Sequence, residues 1–173
     1  MLRVLTAFLI IIGIFTASCQ QKTEGGVSEK FKVDPEPVIK EAMKEKKFLI
    51  LIFESEDCKY CTKLHKEVLN DLDFKQSLVK NKTAIAIINV YGEREVTDPE
   101  TKQKMNEQAL TFAYRVQGYP TIVVFDPAKD YKPIYTIPGY VEKRDFISLL
   151  DFLGSNCYQK VQYEKFVENG KSC

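Results

Sequence analysis

The chain has 173 residues, and its 25 lysines and arginines against 24 aspartates and glutamates give a formal net charge of +1. This length suits one domain with a substantial core. The balanced charge argues against a nucleic-acid partner, because binding phosphates takes an excess of basic side chains. A single histidine excludes chemistry that needs several imidazoles, and without a glycine-rich phosphate loop we expect no cofactor.

The first 18 residues have the pattern of an export signal. Arg3 supplies positive charge, residues 4–15 are almost continuously apolar, and small residues precede Cys19. The apolar run is shorter than the ~20 residues that cross a membrane. The pattern resembles a bacterial lipoprotein signal, which implies a lipid on Cys19 and contact with a membrane through it. Thr16 stands where such signals usually have leucine, so simple cleavage and an uncleaved anchor are the alternatives. Each of them places the protein in the periplasm or cell envelope.

The chain after the signal divides into three predicted parts. Residues 19–33 are expected to be a polar tether, since residues 20–30 lack apolar periodicity and contain Gly25 and Gly26. Residues 34–153 are expected to form the folded domain. Residues 154–173 are expected to form a helical extension with Tyr163, Phe166 and Val167 on its apolar face.

Alternating helical and apolar patterns fill the predicted domain. A helix is expected from Asp34 onward, because aspartate caps helices and proline favours the first turn. Residues 48–53 and 83–90 are apolar runs typical of buried strands. With a helix between them, they are expected to pair in parallel through a right-handed crossover.

The second half of the domain predicts a helix, two strands and a last helix. The helix is expected over residues 100–115. Its inward side chains would be Met105, Ala109, Leu110, Phe112 and Ala113. Strands are expected at residues 121–125 and 132–137, the latter at a sheet edge because it contains Pro133. The element order predicts an α/β fold, a mixed sheet of about four strands with helices on both faces.

A Cys-x-x-Cys motif, Cys58-Lys59-Tyr60-Cys61, lies where the first predicted strand passes into a helix. Cysteines with this spacing can close a small disulfide ring. The free backbone N–H groups at a helix start favour the thiolate of the first cysteine. The motif therefore indicates thiol–disulfide exchange, and the alternatives are a zinc half-site or a purely structural disulfide.

Three motifs together resemble the thioredoxin fold: residues 48–53 leading into the Cys-x-x-Cys, Gly118-Tyr119-Pro120-Thr121 before a strand, and Pro138-Gly139-Tyr140 before the last helix. The resemblance covers about residues 34–153. Residues 53–58, Phe-Glu-Ser-Glu-Asp-Cys, are more similar to a thioredoxin-related family of exported bacterial proteins, the SoxW type. Thioredoxins carry a buried acid where this chain has Ile52, and that departure leaves the redox direction open.

The resemblance implies a role for each site residue. Cys58 would be the nucleophile and Cys61 the resolving thiol of a redox-active disulfide. Lys59 would favour the thiolate of Cys58 or be an ordinary solvated lysine, and Tyr60 would cover the site or contact substrate. Pro120 would be cis, with a trans proline as the alternative, and would leave the backbone of Tyr119 free to pair with an extended substrate.

The remaining cysteines and the histidine allow several interpretations. Cys157 and Cys173 could form a structural disulfide, stay as free thiols or be a second redox pair. His65 lies four residues after Cys61, and with Cys58 and Cys61 it could form a metal site. An ordinary surface or pH-tuning histidine is the expectation, so no metal is expected.

Together these features predict an exported thiol–disulfide oxidoreductase, a protein-disulfide reductase that acts through a mixed disulfide. Its partners would be protein thiols or disulfides and an upstream redox protein. A disulfide oxidase or isomerase is one alternative, and a metal-handling module is another. A monomer is expected.

Overall fold

The computed structural model describes residues 29–173, so the predicted export signal, Cys19 and most of the predicted tether lie outside the described residues. The helices are α1 Pro35–Lys44, α2 Lys59–Leu64, α3 Leu72–Lys80, α4 Glu107–Ala113, α5 Lys143–Gly154 and α6 Tyr163–Glu168. The strands are β1 Phe48–Glu54, β2 Thr83–Asn89, β3 Glu95–Thr97, β4 Lys104–Asn106, β5 Thr121–Asp126 and β6 Lys132–Pro138. A π-helix, His65–Leu69, continues α2. No helix within the described range is long and apolar enough to cross a membrane.

The main sheet has four strands in the order β2-β1-β5-β6. β1 runs parallel to β2, as predicted from the crossover, and antiparallel to β5, which pairs with β6. Pro133 lies in the edge strand β6, next to an irregularity in the pairing with Val124 and Phe125. A proline is tolerated there because an edge strand has a side without hydrogen-bonded neighbours. The predicted mixed sheet and the α/β fold class are confirmed.

The core lies on both faces of β1, whose seven residues are all buried. Successive side chains of a strand point to opposite faces. Ile50 and Ile52 therefore belong to the layer formed with α2, α3, α5 and α6. Leu51 and Phe53 belong to the opposite layer, formed with α1 and α4. With both faces of β1 covered, the point where this central strand ends is held rigidly in the molecule.

The predicted helix over residues 100–115 was wrong in its start and in its buried face. Residues 104–106 form β4, which pairs with β3 in a small second sheet. Helix α4 then begins at Glu107, and the side chain of Asn106 caps it by accepting a hydrogen bond from the Ala109 N–H at 2.8 Å. Of the predicted inward residues, Leu110 is buried and Met105 packs partly against the core, whereas Ala109, Phe112 and Ala113 are exposed.

A buried ion pair explains why the apolar pattern misplaced this helix. Glu107 occupies the inward face of α4 beside Leu110 and Thr111. Its carboxylate accepts two hydrogen bonds from Arg94, at 2.9 and 2.6 Å, and one from the Asn89 N–H at 2.9 Å. A charged residue on the inward face cannot be recognised from hydrophobicity. Gly92 passes close by, and a Cβ there would lie 2.0 Å from Oε2 of Glu107, so the approach requires glycine.

The end of the predicted tether lies against the domain instead of projecting from it. Glu29–Phe31 forms a short 3₁₀ helix, and the Phe31 side chain is buried. The guanidinium of Arg94 donates hydrogen bonds of 2.9 Å to the carbonyl oxygens of Phe31 and Val33. An aromatic residue within a polar stretch was the available signal. Phe31, which lies within the predicted tether, therefore packs against the domain.

The C-terminal extension packs against α5. Phe166 of α6 is buried, with its ring centroid 5.0 Å from that of Phe152. Val167, expected on the same apolar face, is 47% exposed, because this short helix buries only a narrow stripe. A disulfide joins Cys157 to Cys173 and closes this segment.

Candidate active site

The candidate site begins where β1 ends. Glu54 is the last residue of β1, a short loop follows, and Cys58 is the N-cap of α2. The Sγ of Cys58 accepts a hydrogen bond from the Cys61 N–H at 3.0 Å. A hydrogen bond of this kind stabilises negative charge on sulfur. The structure therefore places Cys58 where a thiolate is favoured.

Cys58 and Cys61 are joined by a disulfide, with their Cα atoms 5.2 Å apart. The two sulfurs have different access to solvent, because Cys58 is partly exposed and Cys61 is fully buried. A thiol or disulfide from outside would therefore reach Cys58 before Cys61. The two sulfurs can therefore have different roles. The outer sulfur, of Cys58, can react with a partner, and the inner sulfur, of Cys61, can close the disulfide ring.

The two residues between the cysteines both lie at the surface. Lys59 is exposed, and Tyr60 is 65% exposed. The aromatic ring of Tyr60 is therefore open to solvent beside the disulfide, where an approaching protein could contact it.

Pro120 lies at the same end of the sheet as the cysteines. Phe53 of β1 pairs with Thr121 of β5, so the residue before Thr121 is level with the end of β1. The Tyr119–Pro120 peptide bond is cis. The carbonyl oxygen of Pro120 accepts a hydrogen bond of 2.7 Å from the N–H of Gly139. The structure thus brings together the cysteine motif and the two other motifs that the sequence singled out.

Tyr119 packs against a second tyrosine. Its ring lies edge-on to that of Tyr91, with the centroids 6.4 Å apart. Burial and the neighbouring Tyr91 hydroxyl raise the pKa of Tyr119 above its ordinary value. Tyr91 was not predicted, and an isolated aromatic residue in a polar segment was its only signal in the sequence.

Glu54 and His65 form a hydrogen-bonded pair next to the Cys-x-x-Cys motif. This pair was not predicted from the sequence. The Nε2 atom of His65 lies 3.1 and 3.0 Å from the two carboxylate oxygens of Glu54. The side chain of Glu54 is fully buried, and that of His65 is 20% exposed. A helical histidine one turn after a reactive cysteine, with an acid at the end of the preceding strand, is the signal that could have revealed this pair.

The metal alternative gains no support from these contacts. Between residues 29 and 173, no group of three or more histidine, cysteine, aspartate or glutamate side chains is arranged to hold a metal ion. Cys58 and Cys61 are joined by a disulfide, and the imidazole of His65 is hydrogen-bonded to the carboxylate of Glu54.

Contacts on two sides brace the site. The Tyr140 hydroxyl donates a hydrogen bond of 2.8 Å to Glu67, and the Lys63 ammonium lies 4.4 Å from the centre of the Tyr140 ring. Burial and the Glu67 carboxylate raise the pKa of Tyr140 to about 12. On the other side, the Lys30 ammonium donates to the carbonyl oxygens of Ser55 and Glu56, at 2.9 and 2.8 Å.

Most of the chain is similar to known proteins of one family. A family model described as a thioredoxin-like domain matches residues 35–154. A thioredoxin-fold protein from Helicobacter pylori is 27% identical, with a TM-score of 0.60 over 73% of this chain and 81% of that chain. A thioredoxin from Thermus thermophilus is 25% identical, with a TM-score of 0.53 over 70% of this chain and 87% of that chain. No curated protein sequence matches significantly.

Proposed function

This chain belongs to the thioredoxin-like domain family, and from that premise we propose that it is an exported thiol–disulfide oxidoreductase. The observation that carries the proposal is the asymmetry of the cysteine pair. Cys58 is partly exposed and accepts a hydrogen bond at the start of a helix, whereas Cys61 is buried behind it. This arrangement suits an attacking thiolate and a resolving thiol.

The proposed reaction has two exchange steps. The Cys58 thiolate attacks one sulfur of a substrate disulfide, so that a mixed disulfide forms and the other substrate sulfur leaves as a thiolate. Cys61 then loses its proton and attacks the Cys58 sulfur, which forms the Cys58–Cys61 bond and releases the second substrate thiolate. Two electrons pass from the protein dithiol to the substrate. An upstream dithiol would return the pair to its reduced form.

The exposed residues around the cysteines are proposed to meet the substrate. The ring of Tyr60 would contact the partner, and Lys59 would add positive charge beside Cys58. Pro120 and Tyr119 would form the opposite wall, where the Tyr119 backbone could pair with an extended substrate. We assign the protein as a reductase, with an oxidase or isomerase as the alternative. Its reduction potential decides between them, about −270 mV for a reductase and about −120 mV for an oxidant.

The location of the protein is a proposal that rests on the sequence. The signal-like residues 1–18 and the following Cys19 support export and a lipid anchor in the bacterial cell envelope. The mass of the mature protein extracted from membranes distinguishes a lipidated Cys19 from simple cleavage or an uncleaved anchor. We propose a monomer whose partners are protein disulfides or thiols and an upstream reductant.

Serine substitutions of the two cysteines test the mechanism. We expect Cys58→Ser to abolish reduction of a disulfide-bonded protein by dithiothreitol-reduced enzyme, because no attacking sulfur remains. We expect Cys61→Ser to accumulate a mixed disulfide with that substrate, because the bond cannot be resolved. The double variant Cys157→Ala/Cys173→Ala is the matched control and should keep normal turnover. Normal turnover in either active-site variant would contradict the mechanism.

A further inference from the structure

We infer that His65 accepts the proton of the resolving thiol, Cys61, and that Glu54 is the positioning residue that orients the imidazole for this transfer. The inference rests on the proposed function, because it concerns the second exchange step. It assigns a task to a buried acid and a histidine that the two-cysteine mechanism does not use.

The carboxylate of Glu54 determines which nitrogen of the His65 imidazole carries the hydrogen. Glu54 is fully buried at the end of β1, and a buried carboxylate requires a hydrogen-bonded partner. Both of its oxygens lie within hydrogen-bond distance of Nε2 of His65. An ionised carboxylate only accepts hydrogen bonds, so the hydrogen of a neutral ring resides on Nε2. Nδ1 is then left with a free lone pair that can accept a proton.

The helix that carries both residues sets the position of His65 relative to Cys61. The backbone N–H of His65 donates to the carbonyl oxygen of Cys61, so the two residues are one helical turn apart on the same face. Side chains of a helix lean toward its N-terminus. This lean carries the imidazole of His65 toward the helical turn that holds Cys61, and Nδ1 is the ring nitrogen nearer the backbone.

Burial of Cys61 makes a base necessary, and the partial exposure of His65 suits it to that role. Cys61 is fully buried, and a thiol in such surroundings keeps its proton unless a base takes it. Glu54 is the one acidic side chain of β1 and is equally buried. The His65 side chain is 20% exposed, which connects the buried pair to solvent. His65 can therefore take a proton from the interior and release it outside.

The proton transfer belongs to the second exchange step. Once Cys58 holds the substrate in a mixed disulfide, the Cys61 S–H proton passes to Nδ1 of His65. The Cys61 thiolate attacks the Cys58 sulfur, the Cys58–Cys61 bond forms, and the bond to the substrate sulfur breaks. The substrate leaves as a thiolate and takes a proton from water, and His65 loses its proton to solvent. In the reverse direction, protonated His65 returns a proton to Cys61 as the ring opens.

Other charged side chains near the pair are exposed and stay unchanged in the test. They lie on the loop after β1, at the start of α2 and along the same helix: Glu56, Asp57, Lys59, Lys63, Lys66 and Glu67. Lys30 reaches the loop from the N-terminal segment through the carbonyl oxygens of Ser55 and Glu56. Lys66, next to His65 but exposed, provides a matched control.

The experiment follows the two exchange steps separately with the aromatic disulfide 5,5′-dithiobis(2-nitrobenzoate). In the protein with a reduced Cys58–Cys61 pair, attack by Cys58 releases one coloured thiolate, and resolution by Cys61 releases a second. Cys61→Ser assigns the phases, because it should show only the first. His65→Gln keeps a hydrogen-bond donor for Glu54 but cannot accept a proton. We expect its first phase to be unchanged and its second to be about 100-fold slower, the usual size of a general-base contribution.

Two further variants separate a chemical role from a structural one. His65→Ala should also resolve slowly, and added imidazole should restore part of the rate, because the partly exposed position admits a small base. Glu54→Gln should slow the second phase alone, since a carboxamide can accept from or donate to the ring and no longer selects one orientation. Lys66→Gln should behave as the wild type in both phases.

The outcomes distinguish this inference from the proposed function. If the wild type releases no thiolate in either phase, the proposed function fails. If the wild type shows both phases but His65→Gln resolves at the wild-type rate, the inference is overturned and the proposed function remains. A loss of thermal stability in His65→Ala with slow resolution that imidazole does not restore also overturns it, because the pair would then be structural.

Discussion

Replacing Arg94 by methionine removes the partner of the buried carboxylate of Glu107. The Glu107 side chain is 1% exposed, and that of Arg94 is 30% exposed. Methionine keeps most of the side-chain volume but donates no hydrogen bond. The change therefore leaves a buried negative charge that retains only its bond from the Asn89 N–H. It also frees the carbonyl oxygens of Phe31 and Val33.

The expected cost follows from this burial. Removing one partner of a buried ion pair costs about 3–5 kcal/mol, because the remaining charge stays buried without compensation. The partial exposure of Arg94 and the remaining bond to Glu107 favour the lower end, about 3 kcal/mol. With a urea slope of about 1.5 kcal/mol/M, the unfolding midpoint should fall by about 2 M. Glu107→Gln in the Arg94→Met background should recover about 1–2 kcal/mol, since it removes the unpaired charge.

Urea unfolding followed by circular dichroism measures these changes. The control is Lys104→Met, which removes an ion pair to Glu95 whose two side chains are 58% and 62% exposed. Such a surface pair is worth about 0–1 kcal/mol. If Arg94→Met costs no more than this control, the buried pair does not hold α4 and the N-terminal segment in the way we describe. A double variant less stable than Arg94→Met would refute the argument about the uncompensated charge.

Two other predictions concern α5 and the C-terminal segment. Burial raises the pKa of the Asp151 carboxyl, but bonds from Lys80, Asn81 and Lys171 outweigh it and hold the pKa below its ordinary value. The Asp151 carboxylate therefore adds stability that is present above about pH 4 and lost as the pH falls through the folded-state pKa. Asp151→Asn should lower the unfolding free energy by about 1 kcal/mol at pH 7 and by progressively less toward pH 2. The control Asp145→Asn, at an exposed position, should have little effect. A loss from Asp151→Asn that stays constant down to pH 2 would contradict this. We also propose that the disulfide between Cys157 and Cys173, with a sequence separation of 16, is structural. Cys157→Ala/Cys173→Ala should lose about 3 kcal/mol in urea unfolding, from the added chain entropy of the unfolded state, and equal midpoints with and without the bond would rule out that role.

The sequence predicted the sheet because its two central strands are continuous apolar runs. Residues 48–53 and 121–125 are buried on both faces, so hydrophobicity alone reveals them, and the crossover between residues 48 and 90 follows from the handedness of such units. The Cys-x-x-Cys and Gly-Tyr-Pro motifs were recognisable because each is contiguous in the chain.

The parts that escaped prediction depend on contacts between distant residues. A glutamate such as Glu107 is expected at the surface, because the sequence does not show that Arg94 pairs with it. The predicted helix was therefore given the wrong buried face. Glu54 and His65 are separated by 11 positions, and hydrophobicity does not show that the acid at the end of this apolar strand meets a histidine of the following helix. Phe112, 86% exposed, was assigned to the interior because a helical pattern cannot show how far its apolar stripe extends.

The contact of Lys30 with the loop before Cys58 limits how far the Cys58–Cys61 pair can lie from Cys19. The chain at Lys30 lies beside the loop that leads to Cys58, because the Lys30 ammonium donates hydrogen bonds to the carbonyl oxygens of Ser55 and Glu56. If Cys19 carries a lipid, the residues between it and Lys30 can span at most about 35 Å. The Cys58–Cys61 pair would then stay in a thin layer of solution next to the membrane surface. Substrates presented close to that surface would meet Cys58 more often than those free in the surrounding compartment.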